Sequence, residues 1–271
     1  QGDVPPSLQE AMRYSLAAGG KRLRPLLTLA AAETLGCPGE QVMPVAASLE
    51  LVHTYSLIHD DLPAMDDSNL RRGRRTSHRV FGEALAILAG DALLTLAFEQ
   101  VAGYGLRERK YEQALQISAE LARAAGREGM VGGQVLDLQF EGREITLQEL
   151  EKMDRSKTGA LLRAAVRCGA IAAGASAAVL GELSAYGSSL GTAFQITDDL
   201  LDREGDAEKL GKDTGADEAR GKATFPALLG VQAARERSEK LYRRALAHLG
   251  ELQRPAGLLE ELARQLVFRE K

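Results

Sequence analysis

The sequence predicts a single all-α domain. Only 4% of its 271 residues are aromatic and tryptophan is absent, although 45% are apolar. The interior must therefore be aliphatic and rich in Ala and Leu, which favours close-packed helices, because strands are enriched in β-branched and aromatic residues. Apolar residues recur at every third or fourth position along almost the whole chain, and no segment alternates with a period of two for long enough to indicate a strand.

The helical period predicts helices in chain order over residues 7–18, 24–36, 40–61, 82–102, 110–125, 130–140, 146–173, 176–204, 222–249 and 256–269. Turn residues mark their ends. The segment from Gly36 to Gly39 separates the second helix from the third, and Thr146 with Glu149 forms a capping box. No linker rich in Pro, Ser or Gly divides the chain, and no long-period repeat is present, so one domain is expected over residues 1–271.

The composition argues against several classes of protein. The formal net charge is −4, whereas nucleic-acid binders are usually basic. Cys37 and Cys168 lie far apart without a C-x-x-C motif, which predicts reduced, buried thiols rather than a disulfide framework or a zinc site. The longest apolar run without charge, residues 168–181, is about 14 residues long and too short to span a bilayer. With no secretory signal visible, we expect a cytoplasmic protein without nucleic acid or stable membrane insertion.

Two polar segments, residues 62–78 and 202–222, interrupt the helical pattern, and each follows an apolar helix that ends in aspartates. In the first, Pro63 disfavours helical geometry at the residue before it. The helix should therefore end or bulge there and let Asp66 turn back towards Asp60.

The aspartates form two triplets: Asp60, Asp61 and Asp66, then Asp198, Asp199 and Asp202. Asp198 and Asp202 are four residues apart, so on a helix they share one face at about 6 Å. Carboxylates placed in this way repel one another unless a cation lies between them. Oxygen ligands suit Mg²⁺ or Mn²⁺, which commonly bridge carboxylates to substrate phosphates. The alternative is a solvated acidic helix end, which explains one such triplet better than two.

Basic residues also occur in groups, and two of these groups follow the acidic triplets, Arg71 and Arg72 after the first and Lys212 and Lys222 after the second. In chain order the basic residues are Lys21, Arg22 and Arg24, then Arg71 and Arg72, then Lys157, and finally Lys212 and Lys222. Each alone is explained by surface charge, but acid and base side by side are typical of a magnesium–phosphate site. No P-loop motif and no G-x-G-x-x-G after a strand is present, so neither nucleotide-binding fold is indicated.

With these residues in view, the sequence resembles the trans-isoprenyl diphosphate synthases. The segments GGKRLRP, DDLPAMDDSNLRRG, GQVLD, KTGAL, FQITDDLLD, LGKDTGAD and GKATFPAL occur in the family's order. Their spacing is similar to that of bacterial farnesyl diphosphate synthases, and the resemblance covers residues 19–271. Family members usually carry another helix before GGKRLRP, so we expect an N-terminal helix to be truncated here.

The resemblance implies an all-α barrel of antiparallel helices around a deep central cavity, the isoprenoid synthase fold, usually as a homodimer. It also implies a prenyltransferase that condenses dimethylallyl and then geranyl diphosphate with isopentenyl diphosphate to give (2E,6E)-farnesyl diphosphate. Ionisation of the allylic diphosphate, condensation and proton elimination would follow in that order.

The resemblance also implies a role for each matching residue. Three Mg²⁺ ions would be ligated by Asp60, Asp66 and Asp198, with Asp61, Asp199 and Asp202 as ligands or holders of metal-bound water. The allylic diphosphate would be held by Arg71, Lys157 and Lys212, with Lys222 nearby. Isopentenyl diphosphate would be held by Lys21, Arg24, His53 and Arg72. Gln195, Lys157 and Thr158 would face the allylic carbons.

Tyr55 and Ser56 are the candidates for setting product length. Tyr55 lies five residues before Asp60, about 7.5 Å along the helix axis and roughly 140° around it. This geometry leaves open whether Tyr55 faces the cavity or packs in the core. The resemblance favours a plug, because an aromatic residue here with Ser beside it is the pattern of fifteen-carbon producers.

Three alternatives remain at this stage. A geranylgeranyl diphosphate synthase would use the same chemistry with a deeper pocket. A terpene cyclase shares the fold but needs no second diphosphate site. A non-catalytic subunit of a heteromeric synthase would be expected to have lost an aspartate motif. The last four residues, 268–271, either fold over the site as a basic flap or fray.

Overall fold

In this computed structural model the described residues are 3–204 and 223–269, and they fold as the predicted all-α domain. The helices are α1 (Pro6–Leu16), α2 (Leu23–Thr34), α3 (Gly39–Asp60), α4 (Ser77–Phe81), α5 (Glu83–Glu108), α6 (Tyr111–Ala125), α7 (Met130–Phe140), α8 (Leu147–Asp154), α9 (Ala160–Ala172), α10 (Ala177–Glu204), α11 (Phe225–Leu229), α12 (Val231–Gly250) and α13 (Gly257–Val267). A two-residue hairpin, β1 (Leu70–Arg71) with β2 (Arg74–Arg75), lies in the first polar segment.

Most helix boundaries lie within two or three residues of those predicted, and the exceptions have local causes. The predicted helix 146–173 is divided by a π-helical turn, Arg155–Gly159. The predicted helix 222–249 is interrupted at Gly230, whose φ of 82° lies in the left-handed region. Helix α5 continues to Glu108, past the predicted end at 102. Gly105 does not end the helix but allows α6 to approach it closely, since a Cβ at Gly105 would lie 2.5 Å from Ala114 of α6.

Small residues let the central helices approach closely. A Cβ at Gly169 of α9 would lie 2.1 Å from the carbonyl oxygen of Thr28 in α2. At the same contact the Thr28 hydroxyl donates to the carbonyl of Ala165 at 3.0 Å. The free thiols of Cys37 and Cys168 are buried, as predicted. The aliphatic composition thus gives a core in which helix backbones come almost into contact.

Helix α3 is the wall on which the site depends. It packs against α2 on one side and α5 on the other, and its C-terminus delivers the first aspartate triplet. A second, smaller apolar cluster, which includes Leu150, Ile196 and Phe225, packs α8, α10 and α11 together below the second triplet.

Among the described helices, α5 has the length and apolar composition of a membrane span. The sequence-based estimate missed this, because it considered only runs without charge. Core helices of soluble proteins have the same properties, and α5 packs against α1, α3 and α6. A third of its apolar window is buried within the chain, so much of its apolar surface remains uncovered.

Candidate functional site

The first aspartate triplet lies where α3 ends and the chain turns back on itself. The amide of Asp66 donates to the carbonyl of Asp60 at 2.8 Å, and the amide of Ser68 donates to the carbonyl of Asp61 at 3.2 Å. The turn expected at Pro63 is therefore present. It brings Asp66 beside Asp60 at the C-terminal end of the helix.

The carboxyl group of Asp60 lies in an unfavourable place for a negative charge. Burial raises its pKa to about 6, and the neighbouring carboxylates of Asp66 and Asp61 act in the same direction. The cations Lys157 and Arg71 oppose the rise without cancelling it. A further cation near this carboxylate would therefore be bound favourably.

Asp61 faces a different partner from its neighbours. The Arg71 Nε donates to both carboxylate oxygens of Asp61, at 2.8 and 3.0 Å, and Nη2 lies 2.7 Å from one of them. Only 3% of Asp61 is exposed, and burial raises its pKa despite this pairing. This fork holds the guanidinium of Arg71 in place beside Asp60.

In the second triplet, Asp199 joins two helices. It accepts from Gln195 Nε2 at 2.9 Å and from the backbone amide of Phe225, also at 2.9 Å. Asp199 and Asp202 are buried, whereas 43% of the Asp198 side chain is exposed. Asp198 is thus the most accessible of the three, as a residue that meets a ligand must be.

Lys157 and Thr158 lie in the π-helical turn between the two triplets. A Cβ at Gly133 of α7 would lie 2.2 Å from the Lys157 amide nitrogen, and one at Gly191 of α10 would lie 3.0 Å from the Cα of Gly159. The turn therefore packs between α7 and α10 at positions where each helix has a glycine and no side chain. The Lys157 ammonium donates to Asp137 at 2.6 Å, a partner that the sequence analysis did not identify.

A cavity of about 450 Å³ opens beside this turn. Its polar end carries Arg24, His53, Asp60, Lys157 and Thr158, and its apolar wall comes from α7 through Met130, Val131, Val135 and Leu138. Tyr55 and Ser56 also line it. Tyr55 packs in the apolar core as well, so the two orientations that helix geometry had left open are not exclusive. Burial, and secondarily the charge of Asp60, raise the pKa of Tyr55 to about 12.

A smaller cavity of about 100 Å³ adjoins the first and shares Lys157 and Thr158 with it. Gln195, Asp199 and Asp137 line this second cavity. One aspartate of each triplet, Asp60 in the first and Asp199 in the second, therefore lines a cavity that contacts the π-helical turn.

The four residues expected to hold isopentenyl diphosphate form one basic cluster. Burial lowers the pKa of Arg24 to about 10, and its buried Nε has no hydrogen-bond partner among the described residues. Burial also lowers the pKa of His53 well below its usual value, and Arg24 and Arg72 add to this effect. The pKa of Lys21 is lowered by burial and by Arg269, while Asp198 opposes the change. The cluster therefore adjoins Asp198 as well as Asp60.

Two backbone features admit Arg72 to the cluster. Gly20 has a φ of 112°, and a Cβ there would overlap the Arg72 guanidinium at 2.4 Å. That guanidinium also donates to the carbonyl of Gly19. The buried Glu50, which the sequence analysis did not assign to this site, pairs with Arg22 and provides negative charge at its edge.

The C-terminal tail returns to the site, which sequence reasoning had left undecided. Phe268 stacks edge-to-face on Tyr242 with ring centroids 5.0 Å apart. Arg269 then pairs with Asp198, and its guanidinium lies 4.5 Å from the ring centroid of Phe194. Two predicted phosphate ligands, Lys212 and Lys222, lie outside the described residues.

The donor set fits a hard divalent cation. Residues 3–204 and 223–269 contain no preformed cluster of three His, Cys, Asp or Glu side chains that could enclose a metal. Mg²⁺ usually takes one or two carboxylates and completes its shell with water and substrate phosphates. Asp60 and Asp66, adjacent and mutually repelling, match that requirement, and Asp198 offers a single exposed carboxylate across the site.

Comparisons of the sequence and of the structure with known proteins both find similarity to prenyl diphosphate synthases. Residues 5–256 match the family model described as polyprenyl synthetase. The farnesyl diphosphate synthase of Geobacillus stearothermophilus is 51% identical over 233 residues, which cover 86% of this chain and 78% of that protein. The farnesyl diphosphate synthase of Bacillus subtilis is 46% identical over 268 residues, covering 99% and 90%. The solved geranylgeranyl pyrophosphate synthetase of Pyrococcus horikoshii matches with a TM-score of 0.88 at 32% identity, covering 97% and 90%.

The neutral state of His53 predicts a specific pH dependence of stability. Because its folded pKa is lowered, the folded protein binds fewer protons than the unfolded chain below pH 6.5, and stability is lost as the pH falls. The free energy of unfolding should therefore be lower at pH 5.5 than at pH 7.5. Urea unfolding at pH 7.5 and 5.5 should show a smaller fall in His53→Gln than in the wild type. His248→Gln is the control outside the cluster: His248 pairs with Glu182, so its removal should not reduce the fall. Equal falls in the wild type and His53→Gln would contradict the prediction.

Proposed function

Because this chain belongs to the polyprenyl synthetase family, we propose that it condenses dimethylallyl and then geranyl diphosphate with isopentenyl diphosphate, giving (2E,6E)-farnesyl diphosphate. The observation that carries this proposal is the cavity that begins at Asp60 and Lys157 and is lined by Tyr55. Such a cavity has charge at one end for a diphosphate and apolar walls for a prenyl chain.

The allylic diphosphate lies at the charged end in this proposal. Lys157 and Arg71, each fixed by a buried carboxylate, aim positive charge at the leaving group. Asp60, Asp66 and Asp198 would hold Mg²⁺, three ions by family resemblance with Mn²⁺ as a possible substitute, and the metal would supply positive charge that offsets the charge of the diphosphate. Lys212 and Lys222 are proposed to add to this grip.

The allylic carbons then lie along the π-helical turn. Gln195 Nε2 donates to Asp199, so the Gln195 carbonyl oxygen is the end left for the carbocation. Thr158 lines both cavities and offers a second oxygen dipole. The aliphatic wall excludes water, which would otherwise quench the cation.

Isopentenyl diphosphate occupies the basic cluster of Lys21, Arg24, His53 and Arg72. The unpartnered Nε of Arg24 is a donor that a phosphate oxygen satisfies. From this position its double bond attacks the allylic cation, a large gain from positioning alone. We assign no side chain as the base, and the released diphosphate accepts the proton.

We also propose a homodimer formed through the uncovered face of α5. Ile87, Leu88 and Leu106 of α5 are exposed, as are Tyr111 and Leu115 of the neighbouring α6. Exposed apolar residues gathered on adjacent helices are typical of interfaces between chains.

Light scattering tests the proposed dimer and should give a mass near twice 29.1 kDa. Leu88→Glu should shift it towards one chain, whereas Leu258→Glu, equally exposed on α13, should not; a monomeric wild type would contradict the proposal.

The second candidate is a geranylgeranyl diphosphate synthase, favoured by the similarity to the P. horikoshii structure. The two kinds of synthase differ in the depth of the apolar cavity, whereas the charged end of the cavity is the same in both. Product length distinguishes them. A non-catalytic subunit is less well supported, since both aspartate triplets are intact.

The proposed activity is tested by incubating the protein with geranyl and isopentenyl diphosphates and Mg²⁺, followed by chromatography of the dephosphorylated products. We expect farnesol as the main alcohol and loss of turnover on adding EDTA, with recovery when excess Mg²⁺ is restored. Farnesol is the result for a farnesyl synthase, and geranylgeraniol is the result for the second candidate. Absence of any prenyl transfer with Mg²⁺ present would refute both.

Tyr55 is proposed to limit the chain at fifteen carbons. Tyr55→Ala should open the cavity and make geranylgeranyl or longer diphosphates the main products. Tyr55→Phe retains the ring and should still give mainly the farnesyl product. The same chromatography measures both, and an unchanged distribution in Tyr55→Ala would refute this role.

A further inference from the structure

His59 connects Tyr55, which is proposed above to limit product length, to the neighbouring helix α5. The His59 Nε2 lies 3.1 Å from the carbonyl oxygen of Ile87, and because a carbonyl only accepts, Nε2 carries the proton and donates. The imidazole is thus tied to the backbone of α5, a rigid helix, and not to a mobile side chain.

The position of the imidazole depends on the absence of a side chain at Gly90. A Cβ at Gly90 would lie 2.1 Å from His59 Nε2, 2.6 Å from Cδ2 and 2.9 Å from Cε1. The ring therefore fills the space where any other residue would place its first side-chain carbon. A residue larger than glycine at position 90 is therefore incompatible with this position of the imidazole.

Tyr55 rests against the same imidazole. Tyr55 and His59 are four residues apart on α3, so they share a helix face. Their rings meet edge-to-face, with centroids 5.7 Å apart and an interplanar angle of 75°. Both residues line the cavity, and Tyr55 is 7% exposed.

We propose that His59, seated on Gly90, is a positioning residue that fixes the Tyr55 ring across the cavity and thereby sets product length. The inference rests on the proposed prenyltransferase function and adds His59 as a second residue that supports Tyr55 from behind. A growing prenyl chain that presses on Tyr55 meets a ring backed by an imidazole, which is itself held by a helix backbone. The resistance to elongation comes from this stack, not from the tyrosine alone.

Two substitutions should shift product length in opposite directions. Ala at position 90 displaces the imidazole from α5 towards the cavity, so Gly90→Ala should raise the ten-carbon fraction severalfold. His59→Ala removes the support, so Tyr55 yields and the twenty-carbon fraction should rise severalfold. Gly103→Ala is the matched control, because Gly103 lies in the same helix with nothing within 4 Å of its added Cβ.

The double variant His59→Ala/Gly90→Ala identifies the route of the effect. Without the ring there is nothing for the new Cβ to displace, so the double variant should match His59→Ala in product distribution. Each variant is given dimethylallyl and isopentenyl diphosphates with Mg²⁺, and the ratio of ten-, fifteen- and twenty-carbon alcohols is compared at equal total turnover. A general loss of stability lowers turnover without changing that ratio.

The outcomes separate the inference from the function on which it rests. Opposite shifts in the single variants, with the double following His59→Ala, support the positioning role. If the wild type is active but the single variants keep its product ratio, or if Gly90→Ala acts equally with and without His59, the positioning role is wrong and the prenyltransferase function stands. If the wild type transfers no prenyl group, the proposed function itself fails.

Discussion

The site depends on a π-helical turn held between two glycines. Residues 155–159 form this turn, and its residues Lys157 and Thr158 line both cavities of the site. It is stable because Gly133 and Gly191 let α7 and α10 approach the turn backbone on both sides. A π-helical turn interrupts the regular hydrogen bonding of an α-helix, and such turns are found mainly at functional sites. The position of this turn beside both cavities agrees with that tendency.

Charge is placed around this turn so that most buried carboxylates have a cation or an amide beside them. Arg71 pairs with Asp61, Lys157 with Asp137, and the Phe225 amide with Asp199. Removing one partner of such a pair leaves an uncompensated charge, so these contacts fix side-chain positions more than they add stability. Burial outweighs the nearby cations at Asp60, whose pKa is raised to about 6, and it also raises the pKa of Asp61. Positive charge is therefore in deficit at the first triplet, where a divalent ion would be stabilised.

The sequence predicted most of the helices and the residue types of the site, because both follow from local pattern. Apolar spacing located α3 and α10, and Pro63 predicted the turn that brings Asp66 back to Asp60. The π-helical turn could not be predicted in this way, since it lies within a helical stretch and packs against Gly133 and Gly191, contacts that local apolar spacing does not report. Asp137 was overlooked because its partner is 20 residues away. The pairing of Arg269 with Asp198 spans 71 residues, and no local signal reports it.

The arrangement also indicates the order in which charges enter the site. Asp198 already contacts Arg269, and Asp60 lies where burial disfavours its ionised form, so neither carboxylate is an open, strongly charged ligand. A metal ion entering alone would have to displace Arg269 from Asp198, and at Asp60 it would lie beside the cations Lys157 and Arg71. A diphosphate entering alone meets Asp60, Asp66 and Asp198 as like charges beside its cationic ligands. If the two enter together, as proposed, the metal would offset the repulsion between carboxylates and phosphate, and Lys157 and Arg71 would bind the remaining oxygens. The free energy of binding therefore depends on metal and diphosphate jointly, and each should bind weakly without the other.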